Sequence, residues 1–246
     1  MTNLTRELLL QIIRSARTQG EKPKLLGANL TETESLWAKA RESKLTEAEI
    51  RRATLRGVEL FRMDLHKMDL NGVELIGANL SEANLSQASL SGANLFQANL
   101  YQVNLAGANL SQAKLTKADL RLANLSQANL SQTNLGQANL EQANLNRANL
   151  NRANLRQANL RGADLSQADL SRVDLSETDL RQVEFSQANL AGANLSRADL
   201  RQANFSQANL LGANLNGANL SGVRYDQATT WPVNLNPNHL GAIRED

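Results

Sequence analysis

Residues 123–152 read ANLSQ-ANLSQ-TNLGQ-ANLEQ-ANLNR-ANLNR, a run of six five-residue units, each with Leu at its centre. The spacing extends in both directions, because a unit centre falls at every multiple of five from Leu25 to Tyr225. Of these 41 centres, 35 are Leu, and only Ser35 and Ala40 are not large apolar residues. Self-similarity at one fixed period indicates a repeat architecture.

The positions within the unit predict its conformation. With the centre written as i, position i−2 is Ala in 28 of the units, and position i−1 is usually Asn or Asp. A period of five matches neither an amphipathic helix nor a simple strand. It favours a solenoid in which each unit is one short extended side that ends in a turn. Positions i−2 and i then both point inward, because alternate residues of an extended segment share a face.

The A-[ND]-L-x-x pattern resembles the pentapeptide-repeat proteins over residues 23–227. The resemblance implies an all-β fold, a right-handed quadrilateral β-helix with four units per coil and about ten coils in this chain. The sequence itself supports the four-unit coil. Phe185, Phe205 and Tyr225 are spaced by 20 residues, so they are expected to stack on one side of successive coils.

Both open ends of a solenoid need caps. Residues 1–22 are predicted to form a capping α-helix and a linker, with Leu8 and Ile12 on the apolar stripe of the helix. Within the β-helix, the first coil, about residues 31–44, is predicted to be irregular, with a short helix as the alternative.

Residues 228–246 are predicted to form the C-terminal cap and a tail, in which Trp231 covers the last Leu layer. The YDxxTxWP ending, from Tyr225 to Pro232, is similar to the tails of many cyanobacterial members of the family. The resemblance also implies that this end is able to serve as a dimer contact.

Composition argues against several kinds of site. The chain has no Cys and only two histidines, His66 and His239, which lie far apart in the sequence. It has no Gly-rich phosphate loop and no nucleophile elbow, so we predict no enzyme activity, no cofactor and no metal site. Its 26 basic and 24 acidic residues are nearly balanced, which argues against a nucleic-acid partner. The N-terminus lacks the features of a secretory signal and no apolar run is long enough to span a bilayer. We therefore expect a cytoplasmic protein without a membrane contact.

Two sets of outward residues are candidates for binding. The first is an apolar set in the N-terminal half, which is a candidate protein-interaction surface because adjacent exposed apolar groups often mark contacts. It consists of Phe61, Ile76, Phe96 and Tyr101. The second is a basic column at a spacing of 20 residues, which is interrupted by Glu141. It consists of Arg121, Arg161, Arg181 and Arg201, and ion pairs with Asp119, Asp179 and Asp199 on the same side are expected to neutralise much of it.

These observations favour a non-enzymatic protein-binding protein, a scaffold or regulator whose partner is unknown and which is a monomer or a homodimer through its C-terminal end. The family resemblance implies one alternative, a DNA-mimicking modulator of type II topoisomerases (gyrase). A sequence pI of about 9.1 and mixed charges count against that mimicry, which needs an acidic surface. A second alternative is weak nucleic-acid binding through the Arg column.

Overall fold

The structure, a computed structural model, describes residues 55–233 and 235–245. The predicted capping helix with Leu8 and Ile12, and the predicted irregular coil at residues 31–44, lie outside the described residues.

The described repeats form stacked coils of 20 residues. From Leu60 to Leu220 each unit has a two-residue turn at i+1 and i+2 and an isolated parallel bridge at i−1. Each bridge joins residues one coil apart, as in the pairs that link Asn79 to Asn99 and Asn99 to Asp119. Four units therefore make one coil, as the spacing of the aromatic centres predicts. The right-handed sense and the count of about ten coils stay predictions.

Backbone hydrogen bonds hold neighbouring coils together. The centre N–H donates to the next coil, as from Leu60 to the carbonyl of Asn79 at 2.7 Å, and the N–H of Asn79 donates back to Val58 at 2.9 Å. Position i+2 has a left-handed backbone, with φ of 66° at Gly92 and 59° at Gln132. This conformation turns the chain onto the next side of the coil, and it is the reason why Gly suits the position.

The core consists of the two inward positions of each unit. Leu at i and Ala at i−2 are buried along the described rod, except for Ala218 near its C-terminal end, which is partly buried. Near the C-terminal end, Phe185 and Phe205 replace Leu, and their rings stack with centroids 4.9 Å apart and planes within 1° of parallel. Direct stacking of these rings follows from their position at the same place on successive coils.

The segment after residue 228 continues the path of the coil. Strand β1, Arg224–Tyr225, pairs in parallel with strand β2, Ile243–Arg244. A 3-10 helix, Pro237–Leu240, lies between the two strands in the chain. The described residues contain no α-helix. The cap and tail predicted for this segment therefore include a strand that pairs with the rod, which the repeat pattern does not predict.

An aromatic cluster lies between the last regular coil and this segment. The ring centroid of Trp231 lies 5.9 Å from that of Phe205 and 5.3 Å from that of Tyr225, both in edge-on arrangements. The hydroxyl of Tyr225 donates to Oδ1 of Asn238 at 2.6 Å. Trp231 is thus placed against the aromatic end of the core.

Candidate interaction surfaces

The amide side chains at position i−1 are largely occupied by the fold itself. Oδ1 of Asn84 accepts from the backbone N–H of Ser86 at 3.2 Å, and Nδ2 of Asn84 donates to Oδ1 of Asp64 in the neighbouring coil at 2.9 Å. The same pair of contacts recurs at Asn99 and Asn159. Because these side chains are used within the rod, variation at the corner positions i+1 and i+2 decides what the surface offers.

Residues 83–113 form a neutral band around the rod. This stretch contains no Asp, Glu, Lys, Arg or His and is longer than one 20-residue coil, so it passes along all four sides. Phe96 and Tyr101 lie within it. Ile76 lies one coil before Phe96 at the same corner, where the N–H of the next residue, Gly77, donates to the carbonyl of Phe96 at 2.9 Å. The sequence-predicted neighbours Ile76 and Phe96 are thus in adjacent coils, and both are half-buried.

The other two residues of the predicted apolar set have cationic neighbours. Phe61 and Tyr101 occupy one column with Ser81 between them. The guanidinium carbon of Arg62 lies 4.7 Å from the ring centroid of Phe61, and that of Arg121 lies 5.5 Å from the ring centroid of Tyr101. These distances are within the range of cation–π contacts. A guanidinium therefore lies over the rings of Phe61 and Tyr101, and among the described residues the Ile76–Phe96 pair is the part of the predicted surface without a cationic neighbour of this kind.

Three of the four column arginines are neutralised within their own units. Asp119, Asp179 and Asp199 stand at i−1, and the Arg at i+1 of the same unit binds each carboxylate through Nε and Nη2. The Nη2–Oδ2 distances are 2.6, 2.6 and 2.7 Å for Arg121, Arg181 and Arg201. These side-chain hydrogen bonds hold the pKa of all three carboxyls below its ordinary value and raise the pKa of the three guanidiniums.

Arg161 is the exception in the column. Its unit has Asn159 in place of the Asp, and within the described part of the chain Arg161 has no carboxylate oxygen within 4.0 Å. The side chains of Arg161, Arg181 and Arg201 line one surface cavity of about 280 Å³, together with Gln182, Gln202, Ser221 and Gly222. An exposed guanidinium without a carboxylate partner therefore borders a cavity.

Charges of opposite sign alternate along the rod. Residues 144–163 contain four arginines and no acidic residue, and residues 164–183 contain five acidic residues and two arginines. Arg156 of the first coil pairs with Glu177 of the second at 2.8 Å. No long surface of a single sign results from this arrangement.

Over the described residues, no group of three or more His, Cys, Asp or Glu side chains is placed to hold a metal ion. The same part of the chain has no helix of the length and apolarity that a membrane crossing requires.

The fold and the repeat define a pentapeptide-repeat solenoid. The profile of the pentapeptide-repeats family matches five segments, which are residues 59–95, 93–132, 123–162, 148–187 and 184–222. The chain therefore belongs to the pentapeptide-repeat family. A comparison with curated proteins finds no match.

Several solved structures of this family are similar to the chain. HetL from the cyanobacterium Nostoc sp. strain PCC 7120, a protein involved in the regulation of heterocyst differentiation, is 30% identical, with a TM-score of 0.48, over 86% of this chain and 94% of HetL. The Nostoc protein alr5209 is 41% identical over 42% of this chain and 84% of its own, with a TM-score of 0.41. A trypsin-treated form of QnrB1, a plasmid-mediated fluoroquinolone resistance protein, is 16% identical over 90% of this chain and 85% of its own, with a TM-score of 0.35.

Proposed function

We propose that this chain is a non-enzymatic protein-binding protein, a scaffold or regulator, and that the Ile76–Phe96 pair, of which Phe96 lies within the neutral band, contacts its partner. The observation that carries the proposal is the position of these two apolar side chains in adjacent coils at one corner, with Phe96 inside a stretch longer than a full coil that has no charged residue. We also propose a cytoplasmic location, a right-handed quadrilateral coil, and a monomer or a homodimer through the C-terminal end.

The low cost of desolvation favours the neutral band as a contact surface. Charged groups are costly to remove from water, and the fully buried centre of a protein interface is depleted of them. The neutral band offers Ser, Asn and Gln side chains, which form hydrogen bonds at the rim of a contact, around half-buried apolar side chains. Because the backbone of each coil is bonded to the next, this surface is presented with little conformational freedom and loses little entropy on binding.

Quantitative affinity capture from the source organism tests the proposal. We expect Phe96→Asp to reduce the yield of at least one specifically captured protein by about tenfold, because it places an unpaired charge at the centre of the contact. Ser196→Asp is the matched control, since residue 196 has the same slot at the same corner five coils away. Circular dichroism checks that both variants keep the β-helix. Equal capture by the two variants would refute this choice of surface.

The charge pattern disfavours both alternatives. DNA mimicry needs an extended acidic surface, but the acidic coil at residues 164–183 follows a purely basic one at residues 144–163. Nucleic-acid binding needs several free cations along a track, but Arg121, Arg181 and Arg201 are each held by an Asp of the same unit.

A further inference from the structure

The C-terminal part of the Arg column has one carboxylate too few. Arg181 and Arg201 are each bound by the Asp two residues earlier, and Nε of Arg181 also lies 3.7 Å from Oδ2 of Asp199. Arg161 stands at the same position of its unit as Arg181 and Arg201 do, but the residue two positions before it is Asn159 and not Asp. Arg181 and Arg201 therefore hold both carboxylates, and among the described residues Arg161 has none within 4.0 Å.

The Asn159 amide fills the place of the Asp carboxylate, so a carboxylate from outside reaches Arg161 from the cavity side. Arg161 is exposed, and the cavity of about 280 Å³ extends past Arg161, Arg181 and Arg201 along one corner. Gly222, which has no side chain, lies at the far end of the cavity. Oδ1 of Asn159 is engaged by the backbone N–H of Arg161 at 3.1 Å, as an amide in this slot usually is.

We propose that this cavity binds one carboxylate side chain from an acidic segment of a protein partner, and that this carboxylate completes at Arg161 the pairing that Asp provides at the other three arginines. Guanidinium matches a carboxylate through two parallel hydrogen bonds, which are among the strongest that exposed side chains form. This inference rests on the proposed function in one respect, namely that a protein partner supplies the carboxylate. The cavity itself lies in a different part of the rod from the neutral band.

A single carboxylate fits this site better than a continuous polyanion does. Asp179 and Asp199 lie beside the cavity, and Glu141 occupies the column one coil before Arg161. A strand of phosphates along the column would approach all three of these carboxylates, whereas one inserted carboxylate faces the unpaired guanidinium. Like charges placed opposite one another suppress the wrong partner.

Nuclear magnetic resonance titration of the full chain tests the site directly. The probes are an N-acetylated, C-amidated Gly-Ser-Glu-Ser-Gly peptide, which carries one carboxylate, and inorganic phosphate. The readout is the Nε–Hε resonance of Arg161, which Arg161→Gln identifies. We expect a saturable shift with the peptide and weaker binding of phosphate. Asn159→Asp should raise the Kd of the peptide by about tenfold, because the new carboxylate occupies the guanidinium as in the other units.

Asn134→Asp is the charge-matched control, since it makes the same change in a ladder slot on another side of the rod. It should leave the Kd of the peptide within about twofold of the wild-type value. The proposal is overturned if the Arg161 resonance does not move, if Asn159→Asp and Asn134→Asp weaken binding equally, or if phosphate binds more tightly than the peptide. The capture experiment with Phe96→Asp tests the Ile76–Phe96 surface, and the titration tests the cavity at Arg161. A negative result in one experiment therefore does not decide the other.

Discussion

The neutral band at residues 83–113 and the charged coils at residues 144–183 have the same backbone and different surfaces. Their cores are equivalent, since Leu95 and Leu160 are 1% and 0% exposed. The differences lie in the outward positions, where one region has aromatic and amide side chains and the other has alternating belts of Arg and Asp. The inward positions of this repeat therefore determine the fold, and the outward positions differ between regions and determine what each region binds.

The largest predicted effect concerns the core that the two regions share. Leu95→Ala and Leu160→Ala should each destabilise the chain by about 2–5 kcal/mol, because each leaves a cavity in an equally buried layer. Urea unfolding followed by circular dichroism measures both. The matched variants Leu95→Met and Leu160→Met should cost less than about 1.5 kcal/mol. A large loss at one site and none at the other would show that the two regions do not share one packing scheme.

A smaller effect, confined to the charged surface, is expected from acid. Arg hydrogen bonds hold the pKa of Asp119, Asp179 and Asp199 below its ordinary value in the folded chain. At pH values between the lowered pKa of the folded state and the ordinary pKa of the unfolded state, the folded state therefore binds fewer protons than the unfolded state. The ion pairs add stability above the unfolded Asp pKa of about 3.9, and that contribution is lost as the pH falls through the folded pKa.

Thermal melting at about pH 6 and about pH 2 measures this loss. We expect the melting temperature to fall on acidification, and to fall less in the triple variant Asp119→Asn, Asp179→Asn and Asp199→Asn. Asn is the common residue in this slot, so the variant should keep the coil. An unchanged acid response in the triple variant would mean that these ion pairs contribute nothing measurable to stability.

Much of this fold is predictable because nearly the same two residues, Leu and Ala, recur at the inward positions of the repeat. The Leu spacing predicts the extended units, and Phe185 and Phe205 predict the 20-residue coil that the bridges show. The last segment is harder to predict, because the aligned pairs there are 21 residues apart at Asn209 and Thr230 and 19 residues apart at Arg224 and Ile243. After Tyr225 the chain lacks the five-residue Leu spacing, so the sequence does not show which of its residues pair with the preceding coil.

The candidate surfaces are predictable only in part. The 20-residue spacing places Ile76 next to Phe96 and predicts that Asp179 is able to neutralise Arg181. The sequence alone does not show that Tyr101 has a guanidinium over its ring, since that contact depends on side-chain direction. The sequence shows that the unit of Arg161 has Asn159 where the unit of Arg181 has Asp179. Only the geometry of the Asp179–Arg181 ion pair shows that this exchange leaves Arg161 without a carboxylate partner among the described residues.

Hydroxyl-radical footprinting of the chain with its captured partner tests most directly which surface makes the contact. It compares the oxidation rate of each side chain in the free protein and in the complex. We predict that labelling of Phe96 falls in the complex, while labelling of Leu211, which is 52% exposed and far from the neutral band, stays the same. Unchanged labelling of Phe96 together with protection of Leu211 would contradict the account.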